Sequence, residues 1–268
     1  MSEPLSPQRE AIKLAQLWRA VHGLNFPVRA DLLAQEWSKQ VAPSEPIAEV
    51  LAKDLDGFEG GLFWMPKREC WALLYKPNEA LPGRRNFTIA HEFGHYVLHR
   101  RLRESFRCSQ GDTLGATGGD IERQADQFAS FLLMPIDDFR EQVHGRRITL
   151  DLLGTCADRY EVSLTAAILK WLSFTEEPAV VVTAREGMVL WWRASDSAKR
   201  VAFARLHQGM ELPERSLAAM PSEAISPADF RLGVEHGPDV WFTGVPVREM
   251  IVVSDRYDMT VLSAPIQI

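Results

Sequence analysis

Apolar residues recur at helical spacing at Ala11, Leu14, Ala15 and Trp18, and after Pro27 the positions Leu32, Leu33 and Trp37 mark a second short helix. Both predict helices that pack through one face. Between Glu59 and Tyr75 the pattern changes to short apolar runs, Leu62 to Met65 and Cys70 to Tyr75, joined through Pro66-Lys67-Arg68-Glu69. That layout predicts a hairpin. Pro77 and Pro82 then break the chain. From Asn86, a residue suited to an N-cap, Phe87, Ala90, Phe93 and Val97 keep an apolar stripe on one side of a helix.

Glycines 111, 115, 118 and 119 mark a loop, and Asp120 can cap the next helix. Ile121, Ala125, Phe128, Ala129 and Leu132 predict that helix as amphipathic, ended by Pro135. Leu150 to Tyr160 and Leu164 to Leu172 read as two helices joined by a tight turn, with Ser163 as the second N-cap. From Pro178 the composition shifts to strand-like runs: Ala179 to Thr183, Met188 to Trp192, Val240 to Phe242, Met250 to Val253 and Met259 to Leu262. The expected class is α+β. A mainly helical domain with a small β-sheet occupies residues 1–175, including the helical pair 147–173, and a smaller β-containing domain occupies 176–268.

The length of 268 residues, with 46% hydrophobic and 25% charged residues, supplies enough apolar surface for one or two cores. A formal net charge of -6 gives no electrostatic reason to expect nucleic-acid binding. Cys70, Cys108 and Cys156 are widely spaced and form no C-x-x-C pair, so neither a disulfide framework nor a cysteine metal site is indicated. The N-terminus lacks the layout of a secretory signal, and no run of about 18 apolar residues occurs, so a cytoplasmic protein without a membrane anchor is expected.

His91-Glu92-Phe93-Gly94-His95 is an H-E-x-x-H sequence on a predicted helix. Four residues make about one helical turn, so both imidazoles emerge on one face, where they can share a tetrahedral metal. Glu92, one position after the first imidazole, is placed to act on an attacking water rather than to bind metal.

Zinc sites of this kind need a third protein ligand. His99 lies about 12 Å along an uninterrupted helix from His91, too far to share the ion easily, and reads as a surface or supporting residue. Glu122 and Asp126 share one side of the following helix, so one acid could bind metal while the other orients a ligand imidazole; the bland alternative is a solvated acidic face. Tyr96, His99 and His144 are all candidates to stabilise an oxyanion, and the sequence does not choose among them. The strand Cys70 to Tyr75 could receive an extended peptide by strand addition if it lies at a sheet edge, with a structural hairpin as the default.

Thr88 to His99, followed by Ile121 to Ala129 running into Leu132-Leu133-Met134-Pro135, resembles the ImmA/IrrE family of metallopeptidases over roughly residues 50–175. The resemblance implies a zincin-like domain in which Zn2+ is held by His91, His95 and Glu122, with Glu92 as catalytic base and Asp126 supporting a ligand. It also implies cleavage of an XRE-type helix-turn-helix repressor, which switches on stress-response or mobile-element genes. Too few residues precede the catalytic region for a fused DNA-binding domain, so the repressor is expected to act in trans. Residues after 176 are similar to the extended IrrE-like form, with a GAF-like, sensor-like domain as a place for a signal or small-molecule ligand.

Two rival readings come from other classes. Leu150 to Leu172 could be a DNA-binding helix-turn-helix, but its second helix offers only Lys170 as a base, which favours packing. Alternatively, the protein could keep the metal without turnover and sequester a repressor. The Trp191-Trp192 pair is read as a strand with one ring in the core.

Overall fold

The computed structural model describes residues 5–77, 82–108, 119–200, 206–221, 224–254 and 257–264. The chain divides into two compact units, Met1–Gln142 with Cys156–Ser163, and Val143–Thr155 with Leu164–Ile268. The class is α+β: a mainly helical domain with a small sheet, and a separate C-terminal β-domain.

In the first unit, α1 (Pro7–His22) starts at Ser6, whose hydroxyl accepts from the Arg9 amide, with proline in the first turn, where its missing N–H costs nothing. Helix α2 (Ala30–Val41) leads into a four-stranded sheet of β1 (Ile47–Ala52), β2 (Gly60–Met65), β3 (Cys70–Tyr75) and β4 (Ser105–Cys108), ordered β1-β3-β2-β4. Strands β2 and β3 form the expected hairpin, pairing Leu62 with Leu73 and Met65 with Cys70. Strand β3 is interior, with β1 parallel to it on its other side, so strand addition at Cys70–Tyr75 is ruled out. The edges are β1 and β4, and β4, at four residues, is too short to be visible as a strand in the sequence.

Helix α3 (Pro82–His99) packs on β2 and β3 and against α4 (Asp120–Leu133). Two details differ from expectation. Helix α3 opens at Pro82 rather than at an Asn86 cap, because proline's fixed φ suits a first turn; Asn86 sits inside the helix and donates its amide to Glu161 Oε2 at 3.0 Å. Gly119 occupies the N-cap of α4, while Asp120 is already helical and pairs with Arg123. The rest of the expected glycine loop, 109–118, lies outside the described residues. Helix α5 (Ile136–Val143) follows Pro135 and carries Asp138, whose carboxylate accepts from Arg159 Nε and NH2, each at 2.8 Å, and from the Tyr160 hydroxyl at 2.5 Å.

Helices α6 (Leu150–Tyr160) and α7 (Leu164–Leu172) have the expected bounds; the last residues of α6 group with the first unit and α7 with the second. The second unit is built on β5 (Ala179–Arg185), β6 (Met188–Ala194), β7 (Val234–His236), β8 (Val247–Val252) and β9 (Asp258–Ser263), all antiparallel in the order β6-β5-β9-β8-β7. Val180, Val182, Val247 and Leu262 form one side of its core, against which Trp192 packs.

The run Val240–Phe242 is not a strand. Asp239 adopts a φ of 71° and accepts the Gly244 amide at 2.8 Å, so the segment is a tight turn that places Trp241 and Phe242 in the core. One buried carboxylate organises this region. Glu249, fully enclosed on β8, accepts the backbone amides of Leu217 and Ala218 at 2.9 and 2.8 Å and the Trp241 indole N–H at 2.9 Å.

Candidate metal centre

Helix α3 is buried along nearly its whole second half, from Thr88 to Val97 and again at His99. Apolar residues account for most of that burial, yet His91, Glu92, His95 and His99 are between 0% and 3% exposed. Polar groups are not buried at this density without partners or a ligand. Two glycines provide the space. A Cβ on Gly60 of β2 would lie 2.3 Å from Thr88 Cγ2 and 3.1 Å from Glu92 Oε1, and one on Gly94 would lie 3.0 Å from the Phe128 ring. The strand and α4 therefore approach α3 closely because these positions carry no side chain.

From α4, Glu122 and Asp126 turn toward the histidines. His91 Nε2 and His95 Nε2 are 3.0 Å apart, and Glu122 Oε2 lies 3.2 Å from the first and 3.3 Å from the second. The Asp126 carboxylate, 2.9 Å from His91 Nδ1, is placed to accept a hydrogen from that ring, whose Nε2 faces Glu122. Beyond His95, His99 Nδ1 is 3.1 Å from His95 Nδ1, and His99 Nε2 is 3.1 Å from Gln124 Oε1. Phe106 of β4 stacks on the His95 ring at 4.7 Å between centroids, holding its plane.

The donor set fits a metal ion. Two imidazole nitrogens and a carboxylate oxygen converge on one point, and with the ring hydrogens on the opposite nitrogens all three would turn lone pairs toward a cation held there. Ligands on a tetrahedral zinc at its usual bond lengths stand roughly 3.3 Å apart, close to the observed triangle. Burial lowers the His95 pKa to about 4, so the ring is neutral and able to donate a lone pair. Burial alone would raise the Glu122 carboxyl, but the two imidazoles beside it hold it well below the usual range and keep it anionic. His91, His95 and Glu122 thus form a group that could hold a metal ion.

Glu92 points elsewhere. Neither of its carboxylate oxygens has a hydrogen-bond partner among the described residues, and burial pushes its pKa up to about 8. A carboxyl poised near neutrality beside a metal-type donor set has the properties of a general base. Of the candidates for oxyanion stabilisation, Tyr96 spends its hydroxyl on the Glu45 carbonyl at 2.8 Å, and both His99 nitrogens are engaged within the His95–Gln124 chain. His144 belongs to the other unit.

Of the residues singled out in the sequence, the structure brings together His91, Glu92, His95, Glu122 and Asp126, with His99 against His95. Sequence reasoning missed three contributors. Gly60 gave no sign beyond a break before a strand, Phe106 lies on a strand too short to recognise, and Gln124 is an ordinary polar residue between two more conspicuous acids.

An H-E-x-x-H helix with a glutamate on the next helix is the ligand arrangement of metallopeptidases such as those with two histidines and a glutamate on zinc. Residues 48–172 match the model of the Peptidase M78 family, described as the IrrE N-terminal-like domain. Its fold is similar over 97% of its length to a Mycobacterium tuberculosis transcriptional regulator, of which it covers 77%, with a TM-score of 0.55 and 12% identity. Likeness at that identity concerns the fold. None of the curated proteins compared with the chain gives a significant match. No helix among the described residues is long and apolar enough to cross a membrane.

Proposed function

We propose that this protein is a zinc-dependent endopeptidase in which His91, His95 and Glu122 hold the metal, Glu92 is the catalytic base and Asp126 orients His91. The observation that carries this reading is the convergence of two imidazole nitrogens and a carboxylate oxygen within 3.0 to 3.3 Å, beside a buried acid without a hydrogen-bond partner among the described residues. Two imidazoles and one carboxylate suit zinc. A divalent ion held there would polarise a scissile carbonyl and lower the pKa of a water molecule. Glu92 accepts a proton from the attacking water and returns it to the amine nitrogen as the C–N bond breaks. Asp126 keeps the His91 proton on Nδ1, so the opposite nitrogen stays available to the metal.

The substrate class comes from the family resemblance: a helix-turn-helix repressor of the XRE type, presented in trans in the cytoplasm, whose cleavage relieves repression. In the same reading residues 176–268 form a sensor or interaction domain. The test incubates the full chain, with and without a chelator, with repressors encoded near its own gene and reads cleavage by mass spectrometry. Chelator-sensitive fragments are the expected result. Relief of repression by Glu92→Gln equal to that of the parent protein would instead establish sequestration without turnover.

A further inference from the structure

We propose that His99 and Gln124 form an uncharged relay that fixes the tautomer of His95, aiming its Nε2 lone pair at the metal position and making His99 a positioning residue. The inference rests on the reading of His91, His95 and Glu122 as a metal centre.

Each proton in the chain is set by the group before it. A carboxamide oxygen can only accept, so His99 Nε2, 3.1 Å from Gln124 Oε1, carries a hydrogen. Two facing ring nitrogens at hydrogen-bond distance hold one hydrogen between them, and a neutral imidazole that carries its own on Nε2 has none left for Nδ1. His99 Nδ1 is therefore an acceptor, and the partner facing it at 3.1 Å, His95 Nδ1, must be the donor. That leaves His95 Nε2 bare, pointing at His91 Nε2 and Glu122 Oε2. Read from the metal side the assignment is the same, because a coordinated Nε2 requires the proton on Nδ1.

The two ligand histidines are thus supported differently. His91 gives its proton to a carboxylate, Asp126, and His95 gives its proton to a neutral ring. Glu92, Glu122 and Asp126 already place three acids in or around the site. A histidine backed by an amide supplies orientation without charge.

Full-length protein stripped of metal and titrated with zinc against a competing chelator, together with His99→Phe and Gln124→Met, tests the relay. The phenylalanine keeps the ring volume and removes the acceptor; the methionine keeps the length and removes the amide. Zinc affinity is expected to fall about 10–100-fold for His99→Phe, with a smaller loss for Gln124→Met and unchanged melting of the metal-free proteins. Nitrogen-15 spectra of zinc-loaded parent protein should show His99 protonated on Nε2 and His95 on Nδ1. A packing role alone would leave the Gln124→Met affinity unmoved. Parental affinity in both variants, or His99 protonated on Nδ1, overturns the relay while leaving the metal centre standing. Should His99→Phe fail to fold, Gln124→Met and the parent's spectra still decide. Failure of the parent chain to take up zinc would overturn the metal centre and the relay with it.

Discussion

Gly60 and Glu92 face each other so closely that a methyl group on the glycine would lie 3.1 Å from the carboxylate oxygen Oε1. The same methyl would collide with Thr88 Cγ2 at 2.3 Å, so the buried threonine would have to shift to admit it. Gly60→Ala is expected to destabilise the protein by about 1–3 kcal/mol and to reduce hydrolysis. Adding Thr88→Ser removes the colliding methyl and should restore much of the stability. Denaturant titration of the two single variants and the double variant measures the coupling; strictly additive effects would contradict the contact.

Glu92→Gln keeps the shape of the side chain and removes its basicity. Turnover should fall about 10^2 to 10^4-fold with zinc affinity little changed, because the residue is absent from the donor triangle. Parallel peptide-cleavage and zinc-binding assays separate the two effects.

Asp126→Asn turns the acceptor behind His91 into a weaker one. Zinc affinity should drop about 10–100-fold, and Glu122→Ala, which removes a ligand outright, should lose more. An Asp126→Asn affinity equal to the parent's would assign that carboxylate to surface solvation.

Zinc should also stabilise the fold, since the ligands come from two helices that the unfolded chain does not hold together. At free zinc roughly 100 times the Kd, the gain is about 2.7 kcal/mol. Thermal melts with added zinc and with chelator give the comparison, and coincident melts would count against a preformed centre.

The Asp138 carboxyl is held below its ordinary value of 3.8: burial opposes ionisation, but hydrogen bonds from Arg159 and Tyr160 outweigh it. A carboxyl with a depressed folded pKa contributes stability above its unfolded pKa and loses it as pH falls through the folded value. Asp138→Asn should therefore cost about 2 kcal/mol at neutral pH, with the gap to the parent closing as pH drops below 3.8. Denaturation curves at neutral and acid pH test the sign.

Much of this was legible because strong local periodicity survives folding. The stripes on α1, α3 and α4, the Leu62–Leu73 hairpin and the paired helices α6 and α7 all announce themselves in the spacing of apolar residues. The ligand motif was legible for the same reason, since two imidazoles one turn apart have a fixed geometry. What failed was context. Whether Pro82 ends a structure or begins one depends on the neighbours it meets, and Val240–Phe242 looks like a strand until Asp239 and Gly244 close the turn around it. Short edge strands such as β4 take their conformation from the partner they pair with, so Phe106 could not be placed beside His95 beforehand.

The buried carboxylate of Glu249 has a consequence for motion in the C-terminal unit. Two peptide amides, at Leu217 and Ala218, and the indole of Trp241 end on the same two oxygens, so these distant stretches are anchored to one point on β8. Releasing any one of them leaves charge and donors stranded in an apolar interior, which makes joint release cheaper than piecemeal fraying. Amide hydrogens at Leu217 and Ala218 should accordingly exchange with solvent in a single cooperative opening, and a ligand or partner that loosened one stretch would loosen the other with it.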